Sequence, residues 1–214
     1  MLTKPTNIKY LSIVDGRLAQ SASATTEGAE KFTTKEGKEK FYLFFKSVIG
    51  KIASITNRPP PDNHQEWSHN WLIKIVDDDE TYQLQMPYSS GYANAFFSIL
   101  PNIDPKEKVE IIPTMKREVW EGKMKEKRSV FIKQNGKTLQ WYYKKGGVET
   151  LPEIEVIKKK SGAIDYDDYE RNEFFAKLAT EYNSKIFSSP EIKDIPVEDI
   201  PAASISPDED DLPF

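Results

Sequence analysis

From Ser188 onward, prolines stand at 190, 196, 201, 207 and 213. Proline locks φ and has no N–H to donate, so a stretch punctuated this often can hold neither a helix nor a central strand. The same stretch is acidic: between Phe187 and Phe214 eight Asp/Glu face one Lys, a net charge of -7. The sequence therefore predicts a folding unit over residues 1–186 and a disordered acidic tail over residues 187–214. Removing the tail changes the charge of what remains. The other 186 residues carry +3, and residues 106–160 alone hold fifteen Lys/Arg against eight Glu, although the whole chain sits at -4 with a pI near 5.4. A basic body with an acidic appendage points to a polyanionic partner and an interaction tail.

Composition removes several function classes. The chain has no Cys and two His, which excludes disulfide scaffolds, thiol catalysis and zinc-ribbon chemistry and leaves acid–base schemes short of their usual residue. A hydrophobic fraction of 38% supplies one core, and a mean hydropathy of -0.62 describes a well-solvated surface. No run approaches the roughly 20 apolar residues of a membrane-spanning helix. The first residues carry no apolar run of the secretory type, so a reducing cytoplasm is expected. No phosphate loop, nucleophile elbow or zinc-protease motif is present. His64 and His69 flank Trp67 in a Pro-rich stretch and read as structural. The acids Asp77, Asp78, Asp79 and Glu80 read as turn chemistry. A non-enzymatic protein without metal or cofactor is expected.

The periodicities predict a mainly β chain. Strands are expected over residues 7–14, 40–56 (one curved strand or two, bent at Gly50), 70–76, 81–86 and 109–114, with a short one at 154–157. Residues 19–29 are small and polar without period and predict a mobile loop. Helices are expected over 89–100, capped by Ser89 or Ser90, and over 165–186, capped by Asp165. Residues 127–134 and 137–143 flank Asn135-Gly136, the strongest hairpin signal here, because Asn-Gly supplies the positive φ angles of a type I′ turn.

Counting outward from that turn separates two faces. Val130, Ile132, Leu139 and Trp141 should seal the core. Lys127, Phe131, Lys133, Gln140, Tyr142 and Lys144 should lie opposite. Rings among lysines suit unpaired nucleotides: the rings stack on bases and the ammonium groups meet phosphates, with little regard to base identity. Lys116, Arg117, Trp120, Lys123 and Lys125 precede the hairpin and would extend the groove. Tyr42, Phe44 and Lys46 share one face of their strand and would join it.

The chain ends Asp208-Glu209-Asp210-Asp211-Leu212-Pro213-Phe214. This closely resembles the acidic C-terminal tip of bacterial single-stranded-DNA-binding proteins, with Leu212 where that tip usually has Ile. The resemblance implies that these seven residues bind replication or repair proteins, Phe214 filling an apolar pocket while its carboxylate meets a cation at the rim. The body is unlike the bacterial protein. Its order of a long bent strand, a hairpin, a helix after the third strand and further strands nevertheless resembles an OB-fold, the five-stranded Greek-key barrel that often binds single strands. An extra N-terminal strand, a long hairpin and a C-terminal helix would decorate that barrel. Together these features resemble a bacteriophage-encoded single-stranded-DNA-binding protein acting in the host cytoplasm.

Overall fold

A computed structural model describes residues 7–34, 37–59, 69–120, 122–144, 149–158 and 164–187. In chain order the elements are β1 (Ile8–Val14), β2 (Arg17–Ala22), β3 (Glu30–Thr33), β4 (Glu39–Phe45), β5 (Val48–Arg58), β6 (Asn70–Asp77) and β7 (Glu80–Pro87). Helix α1 (Gly91–Ile99) follows, ending in a single 3₁₀ turn, then β8 (Val109–Trp120), β9 (Lys123–Gln134), β10 (Lys137–Thr138), β11 (Glu155–Lys158), β12 (Ile164–Asp167) and α2 (Tyr169–Phe187). Ten strands form one mixed sheet in the order β10-β9-β8-β5-β6-β7-β1-β2-β4-β3, and β11 pairs with β12 in a separate two-stranded sheet. The fold is mainly β, and β1 with β7 is the one parallel pair in the large sheet among the described residues.

Two strands change partners along their length, and each change bends the sheet. β5 pairs with β8 through Val48–Gly50 and with β6 from Lys51 onward. At that switch a Cβ on Gly50 would stand 2.7 Å from Ile75 Cγ2 and from the Val76 carbonyl, so the close approach needs glycine. A bulge follows between Ile52 and Ser54. β1 likewise pairs with β7 through Ile8–Leu11 and then with β2 from Ser12. Its Asp15-Gly16 turn, with φ of 51° and 74°, rests directly on β8. A Cβ on Gly16 would come within 2.5 Å of the Met115 amide nitrogen. No ladder joins β1 or β2 to β8 among the described residues, so the sheet curls without closing. This departs from the five-stranded closed barrel expected from the element order.

Both helices cover one face of the sheet. Ser90 caps α1, its Oγ accepting the Ala93 N–H at 3.1 Å. Trp71 meets Phe97 edge-on at 4.6 Å, and Phe97 stacks on Phe175 of α2 at 4.4 Å. Each such ring, fully buried, contributes about 1.5–3 kcal/mol. α2 also closes an open strand edge. Asn183 Oδ1 accepts the Ile55 N–H at 2.9 Å and its Nδ2 donates to the Ile55 carbonyl at 2.8 Å, on the stretch of β5 that β8 has left.

Four expectations fail for identifiable reasons. The stretch 19–29 is not a loop throughout: β2 runs on to Ala22, with Ala19 buried, because β4 pairs with it along Leu18–Ala22. Asp165 does not cap α2; it pairs with Ile157 in the β11–β12 ladder, and Asp167 Oδ1 accepts the Tyr169 N–H instead. The strand beginning at Val109 runs on to Trp120, pairing with β9 along its whole length. The Asn135-Gly136 turn forms with φ of 52° and 75°, but β10 lasts only two residues. The chain then leaves β9, and the Tyr142 N–H bonds to the Ser98 carbonyl at 2.7 Å, closing the C-terminal end of α1. Trp141, expected in the core, is exposed.

Candidate nucleic-acid interface

The β8–β9 ladder places residues on two faces, rung by rung. Val109/Gln134, Ile111/Ile132 and Pro113/Val130 point toward the helices. The opposite face carries Glu110/Lys133, Ile112/Phe131, Thr114/Ser129, Lys116/Lys127 and Glu118/Lys125. Phe131 is 45% exposed there. From Lys127 to Phe131 is four residues of strand, roughly 13 Å at about 3.3 Å per residue. Ring and cations thus lie along one strip.

Charge on the strip is uneven. Lys133 is neutralised by Glu110 at 3.3 Å. The Ser47 hydroxyl and then the Lys133 ammonium hydrogen-bond Glu110 and hold its carboxyl below the ordinary carboxylate range. Lys46, next to Ser47, is exposed and adds its field at the same carboxylate. Lys116 and Lys127, by contrast, oppose each other directly and have no hydrogen bond or ion pair among the described residues. Like charges facing across a ladder are destabilising, and an anion laid over them removes that penalty. Thr114 and Ser129 separate this pair from Phe131 with small hydroxylated side chains.

The structure therefore unites Lys116, Lys127, Phe131 and Lys133, with Lys46 at the margin. It separates the others. Arg117 lies on the other face, paired with Asp15 and, at 3.4 Å, with Glu126, because side chains alternate. Arg128 first, then Arg117, hold the Glu126 carboxyl below its ordinary value. Tyr142 never faces Ser129; its ring meets Tyr143 at 4.9 Å, and Lys144 follows it off the sheet. Tyr42 is buried in a satellite cluster with Val14 and Ala19, its ring 6.1 Å from Phe32 and 5.8 Å from Phe44. The Arg17 guanidinium covers Phe44 at 3.6 Å, so neither ring is open to a base. Trp120 ends β8, and the tip Asp208, Glu209, Asp210, Asp211, Leu212, Pro213 and Phe214 lies outside the described residues.

Ile112 beside Phe131 was not anticipated. Strand continuation through the charged run 116–118 was the missing signal, since charged residues on both faces conceal a period of two. Of the acidic run, Asp77 and Asp78 hold Lys108 at 2.6 and 3.1 Å. Among the described residues no cluster of three or more His, Asp or Glu is spaced for a metal, and no helix is long and apolar enough to cross a membrane. No family model matches the chain, and no characterised protein or solved structure matches it significantly.

Proposed function

We propose that this chain is a non-enzymatic protein that coats single-stranded DNA without sequence preference during replication, recombination or repair. Its tail recruits partner proteins. The observation that carries the reading is the strip on β8–β9: an exposed Phe131 on the same face as an opposed Lys116/Lys127 pair that has no ion-pair partner among the described residues. Stacking on Phe131 gives affinity to any unpaired base, and the lysine pair supplies the phosphate attraction. A duplex hides its base faces, so the ring has nothing to stack on. On this reading the bent, open sheet is an OB-like body, and the tip from Asp208 to Phe214 is the bacterial-type plug of a phage-encoded protein. That plug works on other proteins and leaves the strip to the nucleic acid.

Titration of labelled oligo-dT, equal-length duplex and equal-length RNA against the full chain tests this. Tightest binding to oligo-dT, weakening linearly in log affinity with log salt, is expected. Equal affinity for duplex removes stacking as the basis, and preference for RNA turns the assignment toward an RNA-binding adaptor.

A further inference from the structure

A groove of about 290 Å³ opens where β2 and β4 fold over the central strands. Its base is Leu11 and Val48, both buried. Phe45 and Ile49, 42% and 49% exposed, also line it. So does Tyr82, whose hydroxyl donates to Glu80 and whose ring lies 5.5 Å from the Lys9 ammonium. Two partners therefore fix that ring in place. Gln20 also lines the groove, half-buried, and its carboxamide has no hydrogen-bond partner among the described residues. That part-exposed amide keeps two donors and an acceptor open to the edge of a ligand.

Rings and aliphatic side chains beside the Gln20 amide, with Lys9, Ser47 and Asp77 completing the lining, describe a site for a planar ring with a polar edge. The groove is also continuous with the strip on β8–β9. Ser47 lines it and hydrogen-bonds Glu110, which in turn binds Lys133, on the same face as Phe131. Lys46 stands between Phe45 and Ser47 and is exposed. A strand lying along Phe131 and Lys133 is thereby led to the groove mouth. We infer that the groove receives one unpaired nucleobase of that strand, its faces against Phe45 and Tyr82 and its edge on the Gln20 amide. The inference rests on the single-strand reading above and adds to it a second, more selective contact, because an amide distinguishes donors from acceptors on a base edge where a ring does not.

The test uses the full chain and oligo-dT carrying 5-iododeoxyuridine at single positions, irradiated in the complex and mapped by mass spectrometry. Adducts on Phe45 or Tyr82, in addition to Phe131, are expected. In parallel, Phe45→Ala should weaken oligo-dT binding about tenfold or more. Gln20→Leu should change the ranking of oligo-dT, oligo-dA and oligo-dC, with its thermal melt retained. If the wild-type chain binds oligo-dT and loses affinity on Phe131→Ala, yet the groove takes no adduct and Gln20→Leu leaves the ranking intact, the groove assignment is overturned and the strip stands. If the wild-type chain retains no oligonucleotide, the single-strand reading itself falls. Should Phe45→Ala unfold, the wild-type adducts decide alone.

Discussion

Between Val109 and Thr114, β8 turns Val109, Ile111 and Pro113 into the core; between Lys116 and Val119 every residue is exposed. The partner strand divides in the same way, with Val130 and Ile132 fully buried and residues 124–127 exposed. One ladder thus has a near half held by apolar burial and a far half held by backbone hydrogen bonds and the pairs Arg117–Asp15, Arg117–Glu126 and Arg128–Glu126. The far half pins its arginines to acids and leaves Lys116 and Lys127 opposed. Only a region released from core packing can carry such a pair, and only a rigid neighbour can hold it in line with Phe131. The near half is the scaffold and the strip runs from it into the far half.

Truncation separates the halves most strongly. Ile132→Ala should destabilise the chain by about 2–5 kcal/mol in denaturant unfolding, through lost transfer energy and the cavity left behind. Met124→Ala, on a residue 64% exposed, should stay within about 0.5 kcal/mol. Comparable losses at the two sites would mean that the far half is packed after all.

Binding should show the reverse asymmetry. Lys116→Ala with Lys127→Ala should lower oligo-dT affinity and shrink the slope of log affinity against log salt by about 1 or more. Its melting temperature should hold or rise slightly, since a repulsion has been removed. A lost melt with an unchanged slope would assign these lysines to folding.

Acid gives the smallest effect. The folded Glu126 carboxyl lies below its ordinary value, so its contribution is present above the unfolded pKa and disappears as pH falls through the folded one. Amide exchange in the far half should therefore quicken, relative to the near half, as pH drops below the ordinary carboxylate range and after allowance for intrinsic exchange rates. Equal change in both halves would remove the ion pairs from the account.

Much of the fold was legible because local chemistry agreed with it. The Asn135-Gly136 turn, the Ser90 cap and the Gly50 bend each follow from one or two residues. What failed depended on distant partners. Residues 19–22 look like loop residues until β4 is laid beside them. Trp141 and Tyr142 read as strand residues, but the end of α1 offers the Tyr142 N–H the Ser98 carbonyl, away from β9. The strip was half legible for the same reason: alternation placed Phe131 and Lys133 together, whereas Tyr42 needed Phe32 from β3 to become core.

Anisotropy of labelled oligo-dT and of a matched duplex with Phe131→Ala, beside the wild type at one salt concentration, tests the central claim most directly. The account predicts a loss of about 1–3 kcal/mol for the single strand, little change for the duplex, and an unchanged melt. Undiminished single-strand affinity in a folded variant would contradict it.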